Sequence, residues 1–328
     1  MRNLKLFETE AAYAAEEENL VRPNVSHVRE SGHNYFHPVG QRDYSREYLT
    51  CEVLEDGLLC KIAITQSFPF DMATGYSISY SLNGGEWLDL PSINIMSPDL
   101  STCIPVSDGD IIRFKGINAT LNSGNTMCHP IVLYDSTLEN PIEFNVYGNI
   151  MSIIYGDNFI GQTLFPNGSD ANIAGIFQNS NIVDASNLIL PATTLTDDCY
   201  AGMFENCSSL VNAPSLPATT LVDSCYEGMF YNCSSLVNAP ELPATTLVDS
   251  CYNNMFYGCS NLSYIKAMFT TTPSNTYTQN WVSGVASTGT FVMNSEAIWN
   301  VVGTNGIPNG WTIIDENGAP IDVPQPVL

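Results

Sequence analysis

The sequence predicts a chain of mixed β and α/β class in three parts. These are an N-terminal helix with an extended arm, an antiparallel β-sandwich, and a C-terminal solenoid of repeats. Three observations predict this order. The decapeptide LPATTLVDSC occurs twice, at 216–225 and 242–251, with a near copy at 190–199. Strand-like runs fill 47–160, and a helix-prone stretch opens the chain. The predicted domains are therefore 1–46, 47–160 and 161–328.

The first part combines a helical pattern with a polar stretch. FETEAAYAAEEENLV favours a helix that ends before Arg22-Pro23, because the residue before a proline avoids the α conformation. The following RPNVSHVRESGHNYFHP predicts an extended arm that cannot form a core by itself. A terminal helix with an arm is typical of a docking element in an assembly.

The second part reads as short strands between turns. In YSISYSLNGGEWLDL, alternation places Tyr76, Ile78, Tyr80 and Leu82 on one face, and Asn83 begins a hairpin turn. Similar strands follow in SDGDIIRFKGI and FNVYGNIMSIIYG. About 110 residues of this kind predict an immunoglobulin-like antiparallel sandwich.

The third part repeats every 26 residues, as the positions of Leu190, Leu216 and Leu242 show. This period lies in the range of leucine-rich-repeat solenoids, whose units bury their apolar faces by stacking. Within a unit, DSCYEGMFYNC predicts a helix with Cys225 and Met229 on its inward face, and LVNAP predicts a strand. Residues 175–190 and the segment after Leu262 predict the two caps.

Six of the ten cysteines belong to the repeats. An even count in an exported protein would suggest disulfides. The cysteines instead recur on the predicted inward face, which indicates small buried thiols. They also lack the close Cys-x-x-Cys spacing of a metal site.

The repeats resemble the BspA-like branch of the leucine-rich-repeat family. LPATTL, CYxxMFxxC followed by CSSL or CSNL, and the closing GTF…GIPNGWT carry this resemblance over about 160–315. It implies adhesion or protein recognition and brings no active site with it.

The N-terminal leader is similar to one found in virion proteins of crAss-like and other Bacteroidales phages. The resemblance implies that the arm docks the chain onto a particle. The residues that carry it, and that we predict to dock, are Arg22, Pro23, Asn24, Val25, Ser26, His27 and Tyr35.

Composition and motifs exclude several function classes. Ten basic against 34 acidic residues give a net charge of −24, which disfavours binding to nucleic acid or anionic membranes. No apolar run is long enough to span a membrane, and the N-terminus lacks the apolar core of a signal peptide. No metal-binding, phosphate-loop or hydrolase motif occurs, so we predict no cofactor.

Positions that vary between near-identical repeats indicate where a ligand could bind. The predicted ligand surface consists of Glu205, Tyr231, Tyr257, Glu227 and Asn253. Exposed tyrosines suit contact with carbohydrate or protein. Ordinary solvated positions would vary in the same way.

The leading hypothesis is a non-enzymatic phage structural protein, a fibre or decoration assembled in the bacterial cytoplasm. Its predicted partners are other virion proteins at the arm and a host glycan or protein at the repeats. By analogy with fibres, a homotrimer is expected. The alternatives are a bacterial cell-surface adhesin and an enzyme of unrecognised type.

Overall fold

The computed structural model describes residues 6–7, 25–30, 33–38, 43–63, 78–94, 100–116, 131–165 and 173–321. Strands dominate these ranges. Their bounds are β1 Leu6–Phe7, β2 Val25–Glu30, β3 His33–Pro38, β4 Leu49–Val53, β5 Gly57–Ala63, β6 Ile78–Leu82, β7 Leu88–Asp89, β8 Ser92–Asn94, β9 Ile104–Val106, β10 Ile111–Gly116, β11 Ile131–Tyr134, β12 Glu143–Asn149, β13 Asn181–Ile182, β14 Asn187–Ile189, β15 Tyr264–Ala267, β16 Thr290–Met293 and β17 Thr312–Asp315. The α-helix in these ranges is α1, Ser152–Tyr155, and short 3₁₀ helices span Tyr44–Arg46, Leu100–Thr102 and Gly156–Asn158.

Two sheets share the front half of the molecule. The large sheet has the order β13-β12-β4-β10-β6-β7, with β14 also paired to β12. The small sheet has the order β11-β5-β8, with β9 also paired to β5. Alternating apolar residues give each sheet a buried face: Phe114 of β10 lies between Leu49 of β4 and Tyr80 of β6. Leu59 and Leu133 of the small sheet belong to the same core.

The hairpin predicted after β6 is present. Asn83 and Gly84 both have positive φ, 51° and 74°, and β7 returns antiparallel to β6. Two consecutive left-handed residues are what a two-residue turn needs to match the twist of its strands. Ile78 and Tyr80 are buried, as the alternation predicted.

The prediction of an all-antiparallel, immunoglobulin-like sandwich is wrong. β12 pairs in parallel with both β13 and β14, and β5 pairs in parallel with β8. Strands β13 and β14 lie within the predicted N-terminal cap of the repeats, residues 175–190, so the large sheet continues into the repeat region. A parallel partner can lie far along the chain, which is why alternation within one strand did not reveal it.

The N-terminal strands form a separate three-stranded sheet in the order β1-β3-β2. Every residue of β2 pairs with β3, from Val25 opposite Pro38 to Glu30 opposite His33. The extended arm of the prediction is therefore a β-hairpin over these residues. The predicted helix begins at Phe7, which belongs to β1. The rest of it falls within residues 8–24, which lie outside the described residues.

The prediction of a leucine-rich-repeat solenoid is also wrong. The described residues form several separate, open sheets with one short helix, and the segments 191–263 contain neither the predicted helices nor a strand in each unit. DSCYEGMFYNC consists of turns, and LVNAP contributes single bridges such as Asn238 to Tyr264. Pro240, two residues after Asn238, has no backbone N–H to extend such a bridge into a ladder.

The end of the chain forms a small parallel sheet, β15-β16-β17. Tyr264 pairs with Thr290, so the 26-residue step continues into this segment. Three buried tryptophans hold the parts of this segment together, because each indole N–H donates to a backbone carbonyl within it. The pairs are Trp281 to Gly306 at 2.9 Å, Trp299 to Phe269 at 3.0 Å and Trp311 to Ala286 at 2.8 Å. Within the described ranges, no helix is long and apolar enough to cross a membrane.

Candidate functional site

The backbone of the repeats explains why their side chains form rows. In the middle repeat, alternate N–H groups bond within the turn and to the next repeat. Tyr231 N donates to Gly228 O at 2.9 Å, whereas Asn232 N donates to Tyr257 O at 2.7 Å. Equivalent residues of successive repeats therefore lie side by side.

Every fourth residue of this segment is left-handed, which is why it is not a helix. The φ values are 51° at Ser224, 59° at Gly228 and 58° at Asn232. A left-handed residue at this interval stops an α-helix from propagating. A four-residue turn still brings Cys225, Met229 and Cys233 to one side, and all three are fully buried. The spacing thus predicted the buried face correctly and its backbone wrongly.

The repeat core consists of ladders of identical side chains. Phe204, Phe230 and Phe256 stack at 5.5 and 5.7 Å between ring centroids, with interplanar angles of 1° and 7°. Such parallel stacking is possible because each repeat places its phenylalanine at the same position. A second ladder contains Tyr200, Tyr226 and Tyr252.

The six repeat cysteines belong to this core as free thiols, as predicted. Cys207, Cys233 and Cys259 each place Sγ near the carbonyl oxygen of a phenylalanine in the preceding repeat, at 3.0–3.1 Å. Burial raises the pKa of Cys207 and of Cys259 to about 12. Neutral, enclosed thiols are poor nucleophiles and poor metal ligands. Their place in the structure is packing between repeats.

Two rows of side chains lie on the outside of the same turns. We call them the tyrosine row and the asparagine row. The tyrosine row is Gln178, Glu205, Tyr231, Tyr257 and Ser283, and the asparagine row is Asn179, Asn206, Asn232, Gly258 and Gly284. Each step is 26 or 27 residues. The hydrogen bonds from the asparagine-row N–H groups to the tyrosine-row carbonyls of the next repeat fix this register.

The tyrosine row contains three of the five predicted ligand residues. The rings of Tyr231 and Tyr257 stack at 4.8 Å with an interplanar angle of 4°, and both side chains are half-buried. Glu205 accepts a hydrogen bond from Gln178 Nε2 at 2.8 Å. Partial burial raises the pKa of the Glu205 carboxyl, and the hydrogen bond from the Gln178 side-chain amide opposes that shift. These groups offer aromatic edges, a hydroxyl pair and a carboxylate–amide pair to a ligand.

The asparagine row forms a ladder of side-chain amides. Asn206 Nδ2 donates to Asn179 Oδ1 at 2.9 Å, and Asn232 Nδ2 donates to Asn206 Oδ1 at 3.0 Å. All three asparagines are left-handed, with φ near 60°. Asn206 and Asn232 were not among the predicted ligand residues. The available signal was that this register holds only Asn and Gly, the residues that tolerate positive φ.

The other two predicted ligand residues lie outside the tyrosine row. Glu227 is half-buried and accepts a hydrogen bond from Ser224 Oγ at 2.9 Å. Asn253 was expected to face outward, and this is wrong because only 7% of it is exposed. Its amide binds Ser250 Oγ and the N–H of Gln279, and so holds the last repeat to the C-terminal segment.

The predicted docking residues divide between described and undescribed parts of the chain. Val25, Ser26 and His27 lie in β2, and Tyr35 of β3 pairs with both Val28 and Leu6. Arg22, Pro23 and Asn24 lie outside the described residues. The hairpin thus brings Tyr35 into one small sheet with three of the residues that carry the leader's resemblance.

Metal chemistry finds no support among the residues with described positions, where no group of three or more His, Cys, Asp or Glu could hold an ion. Comparison with known proteins gave no match among family models, curated sequences or solved structures. What supports a function is therefore the chemistry of the outer rows together with the sequence.

Proposed function

We propose that the chain is a non-enzymatic structural protein of a phage particle that recognises the host surface through its repeats. The N-terminal segment would attach it to other virion proteins. The tyrosine and asparagine rows would bind a glycan or protein of the bacterial envelope. The two resemblances described above, in the leader and in the repeats, supply the particle and the adhesion parts of this proposal.

The observation that carries the recognition part is the register of the outer rows. A surface whose side chains are already held at fixed spacing binds more tightly, because it loses less conformational entropy when the ligand binds. Here each outer side chain stands on a turn whose alternate N–H groups bond to the next repeat, as Asn232 N does to Tyr257 O at 2.7 Å. The surface is thus ordered before any ligand arrives.

The chemistry of the rows also favours binding over catalysis. The tyrosine row offers hydroxyls and aromatic carbon, and the asparagine row offers amides. The repeat thiols, which are the strongest potential nucleophiles in this region, are fully buried and held neutral by burial. We therefore expect adhesion by surface complementarity without a chemical step.

The test of the proposal is where the protein is found. Antibody against the purified chain should label phage particles from a producing culture, and a phage that encodes the chain without residues 1–46 should give unlabelled particles. A chain that is absent from particles and fractionates with the cell envelope would overturn the proposal. That result would favour the alternative, a bacterial cell-surface adhesin.

A further inference from the structure

The outer rows change character at one point, between the second tyrosine and the C-terminal segment. Along the tyrosine row, Tyr257 is followed by Ser283, and along the asparagine row, Asn232 is followed by Gly258 and Gly284. Two large side chains therefore give way to three small ones at the same place. We call this place the notch and define it by Asn232, Tyr257, Gly258, Ser283 and Gly284.

One face of the Tyr257 ring borders the notch. Its other face is covered by Tyr231, which stacks on it at 4.8 Å. The two faces that touch in this stack are closed to a ligand, so only ring edges are accessible between the two tyrosines. Among described residues no second aromatic ring packs on Tyr257, and the next position in its row carries only a serine. The notch is thus where the tyrosine pair offers an aromatic face.

An amide oxygen also points into the notch. The ladder gives Asn206 Oδ1 a donor, the Nδ2 of Asn232. The Oδ1 of Asn232 would receive its donor from an asparagine at 258, and glycine stands there instead. A Cβ added to Gly258 would collide with this same oxygen, so Asn232 Oδ1 lies directly over the glycine. The ladder therefore ends in an acceptor that no described side chain occupies, beside an aromatic face.

The two glycines keep this space open. Gly258 and Gly284 have φ of 75° and 81°, and a Cβ on Gly284 would come only within 3.5 Å of the Gly258 backbone. Gly258 N donates to Ser283 O at 2.8 Å, which holds the floor of the notch to the repeat stack. The opening is therefore a fixed feature of the fold.

These three features match the chemistry of one ligand class. A pyranose ring has an apolar face of C–H groups that packs on an aromatic ring, and hydroxyl donors at its edge that suit an amide oxygen. The net charge of −24, and the carboxylate of Glu205 in the same row, disfavour anionic sugars. We infer that the notch is the binding subsite for a neutral sugar ring of a surface glycan. This inference rests on the proposed recognition function and specifies its ligand.

A single substitution tests the notch by filling it. Gly258→Asn would place a side chain in the notch, and its Cβ would force the Asn232 amide to turn away from its place over the glycine, so the notch would lose both its space and its open acceptor. Asparagine already occupies the equivalent left-handed positions 179, 206 and 232. The matched control is Gly228→Asn, also at positive φ. The equivalent position of the next repeat is Asn254, and the nearest atom to a Cβ at 228 would be Tyr231 Cβ at 3.9 Å.

The experiment measures binding of the full chain to an array of neutral and anionic oligosaccharides. Wild type should bind neutral members, Gly258→Asn should bind them about tenfold more weakly or worse, and Gly228→Asn should bind like wild type. Tyr257→Ala should show the same loss, and this keeps the test decisive if Gly258→Asn misfolds. The inference would be overturned if wild type bound only anionic sugars or no sugar at all. It would also be overturned if both notch variants bound neutral sugars as strongly as wild type does.

Binding to intact bacterial cells separates this inference from the proposed function. If every variant binds cells as wild type does, the notch is not the site, although recognition by the chain stands. If the chain is missing from particles but the array result holds, the sugar subsite stands and the virion role fails.

Discussion

The front sheets and the repeats both bury phenylalanine rings, but the neighbours of those rings come from different kinds of sequence. In the large sheet, Phe114 has neighbours from β4 and β6, which come from distant and unlike parts of the sequence. In the repeats, Phe230 has Phe204 and Phe256, its own counterparts 26 residues before and after. The comparison shows that repetition converts one local solution into a ladder. Repetition also has a cost, because a destabilising free energy in one repeat recurs in every other repeat.

Alkaline pH should expose that cost most strongly. Burial raises the pKa of Cys199, Cys207 and Cys259 to about 12 and that of Cys251 to about 11, while an unfolded thiol has a pKa of about 8.5. Since the folded pKa is raised, the stabilising contribution is complete below about pH 8.5 and is lost as the pH rises toward 12. At pH 10 each thiol costs about 2 kcal/mol, and four cost about as much as the whole stability of a typical domain.

Denaturant unfolding at pH 7, 9 and 10 checks this expectation. The free energy of unfolding should change little to pH 8.5 and then fall steeply, with the repeats exchanging their amide hydrogens before the front sheets. A free energy of unfolding that stays level to pH 10 would mean that the thiols are not enclosed in neutral form.

Core truncation should sharpen the comparison next. Phe230→Ala and Phe114→Ala both remove a fully buried ring, so each should cost about 3–5 kcal/mol. The effects should differ in reach, because neighbouring repeats share one ladder and the loss spreads along it. Hydrogen exchange should rise around residues 204 and 256 in the first variant, and within β4, β6 and β10 in the second. Equal and local increases in both would contradict the ladder.

Breaking the amide ladder should have a smaller effect. Asn206→Ala removes the hydrogen bonds to Asn179 and Asn232 and places alanine at φ 61°. Exposed hydrogen bonds and left-handed alanine each cost on the order of 1 kcal/mol, so a loss of about 2 kcal/mol is expected. Asn206→Gly is the matched control, because it removes the same bonds without the backbone penalty. An alanine variant as stable as the glycine variant would remove backbone strain from the explanation.

The sequence predicted the interior of each region better than its connections. Period 26 and the Cys225–Met229–Cys233 spacing placed the buried face of the repeats, and alternation placed Ile78 and Tyr80. Both signals report which side of a segment is apolar. A spacing of four fits an α-helix and also a four-residue turn with one left-handed residue, so it could not choose between them. Gly228 and Asn232 were the residues that favoured the turn, because glycine and asparagine tolerate the left-handed conformation.

Pairing between distant segments was beyond the same signals. Nothing in the local pattern of Asn187–Ile189 indicated that it would pair with β12 in the large sheet. The exposed face was predictable in part, since variation between copies identified Tyr231 and Tyr257. It failed at Asn253, because the last repeat faces the C-terminal segment and not another repeat. An end position experiences different neighbours from those of its internal counterparts.

The smallest structural effect is expected on the recognition face itself. The Tyr231–Tyr257 contact is half-exposed, and an aromatic pair of this kind contributes about 0.5–1.5 kcal/mol. Tyr231→Ala with Tyr257→Ala should therefore lower the free energy of unfolding by about 1 kcal/mol. Tyr264→Ala, at a 36% exposed tyrosine outside both rows, serves as the control.

Binding of this double variant to intact bacterial cells, with its thermal melt recorded beside it, is the decisive test of recognition through the tyrosine row. We expect a near-native melting temperature with loss of cell binding, and native binding by Tyr264→Ala. A folded double variant that binds cells as well as wild type does would contradict recognition through the tyrosine row.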